Sequence, residues 1–396
     1  MTDHTTTLPL GNDGSVLTSR QRRDTLLILY FSAFTIGVAF GGLMPLIALV
    51  LEGRGVSSVF VGLNASMLSI GVIAASPLIP KVIRRIGTIP AYFVGSALTF
   101  VMLLLMPVFD SLPSWFAIRF FMGIGLAFPW IVSETLLNAV CSERNRGRQL
   151  AIYTTCLVGG FAAGPMVLSF VGVDGGLPFY LTAGLFAASC LPFALLGKQS
   201  MSVESPAHIK LSKLAIAAPT IFAAAILAGV MDTTVFSMMP LYGLYLGLTE
   251  ETAVVLLTIF LAGNLFLQIP VGWLADKTNR RSVLIGCALV CTVCPVIISF
   301  LPPVVFSLAP VLFIWGGAAW SIYAVSLAML GERFRGGELA AANAAFVIAF
   351  ELANVFAPPI AGGTMEIWGP QGLMGFLALI SAIFLLLTVG RGLIRR

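Results

Sequence analysis

Charge is what this sequence has least of. Only 10% of its 396 residues are Asp, Glu, Lys or Arg, against roughly a quarter in a soluble globular domain. With 58% hydrophobic residues besides, the chain is excluded from the ordinary soluble class and is expected in a membrane. Histidine is nearly missing: His4 and His208 both lie in polar stretches away from any apolar run. A buried site therefore has no His-based metal set and no imidazole to serve a nucleophile. The six cysteines, Cys141, Cys156, Cys190, Cys287, Cys291 and Cys294, lie inside apolar runs or at their cytoplasmic ends, where disulfides do not persist. Cys291 and Cys294 form a CxxC with no His or acidic neighbour and read as small buried hydrophobes. The sequence also lacks a G-x-x-x-x-G-K-[ST] phosphate loop. No enzyme activity, metal or cofactor is expected.

Long apolar runs are what the chain has in quantity. Twelve are expected to cross a hydrocarbon core of about 30 Å at 1.5 Å per residue: 26–50, 57–79, 89–109, 114–140, 149–172, 176–197, 214–246, 252–273, 282–301, 304–330, 339–363 and 371–392. The first is too long for a signal-peptide core and lacks a small-residue cleavage site, so it counts as span 1. Residues 1–25 are polar and expected to be disordered. Of 22 basic residues, all but Arg54 and Arg119 fall before span 1, after span 12, or in every second loop. By the positive-inside rule both termini are cytoplasmic, in a multi-pass protein of a bacterial inner (plasma) membrane. The net charge of +5 is explained by this topology and gives no reason to expect nucleic acid.

The chain also repeats itself. ERNRGRQLA (143–151) and ERFRGGELA (332–340) agree at six of nine positions, one after span 4 and the other after span 10. GWLADKTNRR follows span 8, and PKVIRRIGTI follows span 2. Two six-helix bundles are expected, 26–197 and 214–396, joined by a cytoplasmic linker over 198–213. The fold class is an all-α polytopic membrane protein with twelve helices in two pseudo-symmetric halves.

The stretch from Gly272 to Arg281, G-x-L-A-D-K-x-x-R-R, resembles the loop signature of the major facilitator superfamily. Gly272, Leu274, Ala275, Asp276, Lys277, Arg280 and Arg281 match, and Asn279 replaces the turn glycine, a change that Asn tolerates through its access to left-handed backbone. The N-terminal copy keeps Arg85 and Gly87 but has Arg84 in the Asp place. A carboxylate at a helix end can hold an Arg or a neighbouring helix N-terminus. Asp276 with Arg280 or Arg281 is therefore expected to latch helices 8, 9 and 11 at the cytoplasmic face. Lys277, Glu143, Arg146, Glu332 and Arg335 complete the expected gate. Topology and helix capping alone are the competing explanation for these charges.

Four ionisable residues stand inside spans: Arg119 and Glu134 in span 4, Asp232 in span 7 and Glu351 in span 11. Each costs about 2.5 to 3.5 kcal/mol at a helix centre, so they imply a wet cavity or partners. Asp232, beside Thr233 and Thr234, is the first choice of proton carrier, because a carboxylate held out of water can bind and release a proton. A cation anchor and a hydrogen-bonded structural acid are its alternatives. Glu351 is the second candidate. Glu134 can join the gate by pairing with Arg84, Arg85 or Arg148, carry a proton, or sit at the interface. Arg119 and Glu134 are 15 residues apart, roughly 22 Å along a helix, and cannot touch. Trp130, Trp315, Trp320, Tyr323, Phe236, Met238 and Met239 are candidates to line the cavity, against plain packing.

RFFMGIGLA (119–127) resembles the helix 4 motif of drug/proton antiporters, and GGFAAGP (159–165) part of their helix 5 motif. The wider stretch 118–151 is similar to the YcaD-like branch of the superfamily. The resemblance implies that spans 1, 4, 7 and 10 line a central path and that Arg119 takes part in proton coupling. Snorkelling of Arg119 to the interface is the alternative. It further implies a secondary transporter with a small-molecule substrate, protons and the bilayer as partners, expected as a monomer. Proton-coupled efflux is favoured; uptake of an anionic metabolite held by Arg119, or a non-transporting sensor on the same fold, are the alternatives.

Overall fold

The computed structural model describes residues 18–141, 146–196, 217–334 and 336–394. Among these, twelve helices are long and apolar enough to cross a membrane, and no strand occurs. They are labelled α1 to α12 in chain order. The N-terminal bundle holds α1 (Ser19–Gly53), α2 (Ser58–Ala75), α3 (Thr88–Leu105), α4 (Leu112–Val140), α5 (Arg146–Val171) and α6 (Leu177–Cys190), the last extended by a 3-10 turn, Leu191–Leu196. The C-terminal bundle holds α7 (Pro219–Tyr245), α8 (Glu250–Lys277), α9 (Arg280–Phe300), α10 (Val305–Arg333), α11 (Gly336–Trp368) and α12 (Gln371–Ile394).

Local chemistry explains the helix ends. Thr18 closes a capping box with Gln21, which starts α1 ahead of the expected position, so residues 19–25 are helical rather than disordered. Residues 1–17 lie outside the described residues, as does the whole 198–213 linker. Ser111 and Thr249 cap α4 and α8 by accepting from backbone N–H groups three residues on. A short helix, Ile79–Ile86, follows α2; it buries Ile79 and Ile83, exposes Arg84 and Arg85, and ends at Gly87 with φ 90°.

Asn279 departs from the sequence expectation. Its backbone is extended (φ −78°, ψ 112°), and its side chain accepts from the Arg281 N–H at 2.9 Å. Asn stands there as the N-cap of α9 and not as a substitute for a left-handed glycine.

Within the N-terminal bundle α1 packs on α5 and α6, and α4 on α2 and α3; within the other, α10 packs on α8 and α9, α9 on α12, and α7 on α11. Glycines set the closest crossings. A methyl group at Gly123 would collide with the Leu68 carbonyl, and one at Gly71 with that of Phe120, so α2 and α4 meet backbone to backbone. Gly263 and Gly316 repeat this device between α8 and α10.

The bundles meet along α2 with α11, α5 with α8, and α1 with α7. Near the face carrying Arg54, Tyr245 and Trp368 the contact is tight: Ser58 and Tyr245 hydroxyls lie 2.9 Å apart, Ser66 Oγ donates to the Val355 carbonyl at 2.6 Å, and Gly62 faces the Pro358 carbonyl. On the same face Arg54 is held by Asp110 at 3.2 Å and over Trp115 at 4.4 Å, which accounts for the one basic residue in these loops. On the opposite, basic face a methyl group at Gly272 or Gly331 would meet nothing within 4 Å.

Candidate transport site

Five side chains, two on α4 and three in the C-terminal bundle, make up the candidate site. Glu134 and Trp130 lie one turn apart on α4, and the Trp130 indole N–H donates to Glu134 Oε1 at 3.1 Å. Trp130 is 43% exposed and lines a cleft between α1, α4 and α5 together with Ser32, Pro129 and Tyr153. Glu134 keeps accessible surface although protein surrounds it on most sides. Asp232 on α7, Glu351 on α11 and Tyr323 on α10 show the same combination.

These groups are neighbours electrostatically. Tyr323 is within reach of Glu134, Asp232 and Glu351, and Asp232 and Glu351 are close enough to repel each other. Tyr153 on α5 is within reach of Glu134. Tyr323 packs edge-on to Phe346 and Phe350, with ring centroids 5.2 and 5.4 Å away, so its position is fixed by aromatic neighbours. Glu351 Oε2 accepts from Asn354 Nδ2 at 3.4 Å and is within hydrogen-bonding reach of Ser69 on α2. Among the described residues neither Asp232 nor Glu351 forms an ion pair.

Arg119 is not part of this group. It is 1% exposed, which removes the snorkelling alternative. Its Nε faces the Asn64 carbonyl at 3.5 Å, and its Nη2 faces the Ala65 carbonyl at 3.5 Å and Met44 Sδ at 3.3 Å. No carboxylate among the described residues pairs with it. Of the other cavity candidates, Met238 and Met239 are fully buried in the core, Trp315 packs inside the C-terminal bundle against Phe260, and Trp320 is half-buried beside the core. Phe236 meets Phe161 of α5 edge-on at 5.5 Å, at the seam between bundles.

The basic-face loop forms a fork. Arg280 Nη2 donates to Asp276 Oδ1 at 2.9 Å, and its Nη1 lies 3.0 Å from Glu332 Oε1, tying the ends of α8 and α10 to the start of α9. Arg281 Nη2 donates to the Thr388 carbonyl of α12. Among the described residues the latch therefore joins helices 8, 9, 10 and 12, where helices 8, 9 and 11 were expected, because the Arg280 guanidinium reaches the end of α10 and Arg281 reaches α12. Lys277 lies over the Trp273 ring at 4.1 Å. Arg84 and Arg85 are exposed and make no ion pair among the described residues; Glu134 accepts from Trp130. Glu143, Arg335 and the Arg146 side chain lie outside the described residues.

Asp276 and Glu332 are 69% and 63% exposed, so each contact is worth on the order of 0.2 to 1 kcal/mol. Arg280→Gln is expected to lower the thermal midpoint by only a few degrees. Adding Glu332→Gln to Arg280→Gln should lower it little further; additive losses in thermal unfolding would show that the two do not act through each other.

Sequence reasoning missed Tyr153, Ser69 and Asn354. Asn354 follows Glu351 by three residues, the helical spacing that could have revealed it. Tyr153 and Ser69 come from other helices and carried no such signal.

Comparison with known proteins agrees with this architecture. The profile of the Major Facilitator Superfamily matches residues 29–255 and 221–393. The chain is 28% identical over 363 residues to the uncharacterized MFS-type transporter YfkF of Bacillus subtilis, covering 90% of this chain and 92% of that protein. It is 27% identical over 367 residues to the uncharacterized MFS-type transporter YcaD of Escherichia coli, covering 92% and 95%. Among solved structures it resembles the nucleoside transporter NupG (TM-score 0.77, 11% identity, 92% of this chain and 99% of that one). It also resembles a D-xylose–proton symporter (TM-score 0.73, 17% identity, 92% and 97%) and an inward-facing, unoccupied bacterial homologue of the lysosomal transporter Spinster (TM-score 0.73, 13% identity, 94% and 96%). With two packed six-helix bundles and a family profile spanning nearly its whole length, the chain belongs to the Major Facilitator Superfamily and is a multi-pass membrane transporter.

Proposed function

We propose that the protein exchanges protons for a small organic cation, exporting it from the cytoplasm by alternating access. The observation that carries this reading is that Asp232 and Glu351 lie within electrostatic reach of each other and of Tyr323, with no ion pair to either acid among the described residues. Two unpaired carboxylates that feel each other suit either a proton or a cationic ligand, and one carboxylate cannot hold both. Competition for the same acids makes the coupling an exchange. The rings of Tyr323, Trp130 and Tyr153 suit a ligand that is flat or apolar beyond its charge.

The basic face is the cytoplasmic one by the distribution of Lys and Arg, so the exported cation enters from that side. Glu134, on the other bundle and within electrostatic reach of Tyr323, acts as a further acid on the entry path. Arg119, packed on α2 carbonyls away from the cavity, supports the cation reading over capture of an anionic metabolite. Its charge braces α4 against α2 during rocking. The Arg280 fork holds the ends of α8, α9 and α10 as one body and belongs to the cytoplasmic gate.

The test uses two ions of one shape and opposite sign, tetraphenylphosphonium and tetraphenylborate, with the purified protein in liposomes that contain a pH indicator. Exchange predicts proton movement on adding the phosphonium and none with the borate. Movement driven by the borate, or flux of the phosphonium without protons, would overturn the proposal.

A further inference from the structure

The face that is closed in this conformation has a fastening of its own. α2 begins at Ser58, and its N-cap residue, Ser57, makes no side-chain cap hydrogen bond. The first N–H groups of a helix need acceptors and carry the positive end of its dipole. Here an acceptor arrives from the other bundle: Glu366, near the end of α11, accepts from the Val59 N–H at 2.9 Å, across 307 residues of chain. One turn of packing supports it on each side. The Ser58 and Tyr245 hydroxyls lie 2.9 Å apart, and Gly362 lets the Ser58 carbonyl come so close that a methyl group there would collide with it. At the other seam on this face the charges oppose closure, because Glu250 at the start of α8 is within repulsive reach of Asp174, just beyond α5.

We propose that Glu366 is a positioning residue of the transport cycle, the carboxylate that latches the outer face by capping α2 from the opposite bundle. The latch rests on the reading that the protein alternates access. α2 and α11 cannot separate at this end without breaking the Glu366 contact, which leaves the Val59 N–H to solvent or to the uncommitted hydroxyl of Ser57. The cap therefore biases the chain toward the state that is closed outside and open at the basic face. The contact is a charge-assisted hydrogen bond reinforced by charge–dipole attraction, so removing the charge alone weakens it and removing the side chain abolishes it.

The test reads opening of this seam directly. Ser66 is 1% exposed, sits beneath the latch, and donates across the seam to the Val355 carbonyl, so Ser66→Cys becomes reachable only when α2 and α11 part. A membrane-impermeant maleimide is applied from the outer side of intact cells, with the chain lacking that cysteine as background control. The labelling rate is expected to rise about 5-fold in Glu366→Ala and roughly 2-fold in Glu366→Gln, the range that a terminal charge–dipole contact can supply. Glu366→Asp should lie nearer the parent than Glu366→Ala does. Equal labelling rates in parent and Glu366→Ala overturn the latch while leaving alternating access intact. A fall in folded yield with no change in the rate per folded molecule marks a merely structural role and overturns it too. If Ser66→Cys is never labelled, even with saturating substrate and a proton gradient, this seam does not open, and both the latch and alternating access fail.

Discussion

Asp232→Asn is expected to reduce proton-driven flux by about 100-fold or more, the usual scale for losing a positioned proton-transfer group. The amide matches the acid in size and mimics its protonated form, so the fold should be unaffected and the cavity merely fixed in one protonation state. Asp232 sits among α7, α10 and α11 residues that both bundles enclose, and its nearest acid is Glu351. With Asp232 unable to ionise, substrate no longer displaces a proton there. Counterflow of labelled substrate in the absence of a proton gradient should survive better than gradient-driven flux. Glu351→Gln is expected to have the smaller effect of the two, roughly 10-fold, because Asn354 and Ser69 already share the Glu351 charge. Flux and counterflow assays on both variants in liposomes decide the matter; wild-type pH-driven flux in Asp232→Asn would exclude it as the carrier.

Gly123→Val is expected to damage the fold severely, costing roughly 3 kcal/mol, the upper end for overpacking. A side chain at Gly123 runs into the Leu68 carbonyl, and Gly71 opposite is just as confined by the Phe120 carbonyl. Backbone cannot yield as a flexible side chain can, so α2 and α4 would have to move apart along their whole crossing. Arg119 lies one turn from Gly123 and touches the Asn64 and Ala65 carbonyls. Spreading the helices would leave this buried charge without even those acceptors, which adds to the loss. Gly272→Val is the matched control, since nothing lies within 4 Å of the added carbon. Thermal unfolding in detergent should separate the two variants clearly, and similar midpoints would refute the close-crossing argument.

The candidate site was legible only in part. Each of its acids announced itself, because a carboxylate inside an apolar run is costly wherever it points. The Trp130–Glu134 contact follows from spacing, four residues on one helix. Arg280 was readable as a latch from its loop pattern, yet its reach to Glu332 rather than to α11 was not, since pattern carries no direction. Arg119 shows the opposite case. Its type and motif suggested a role with the acids, but packing directs it onto α2 carbonyls and away from the cavity.

By itself the sequence determined the twelve spans and the two-bundle plan. Length of apolar run and repeated motifs decide those locally. Only the tertiary structure decided that Asp232, Glu351 and Glu134 come within electrostatic reach of Tyr323, and that Glu366 caps a helix of the other bundle. In a bilayer, lipid and protein interior are both apolar, so a helix shows little contrast between its buried and its outward faces. Which face meets which neighbour, and at what height along the axis, is set by backbone crossings such as Gly71 with Gly123 and Gly62 with Pro358. Those crossings join residues far apart in the chain, and their geometry exists only once the helices pack.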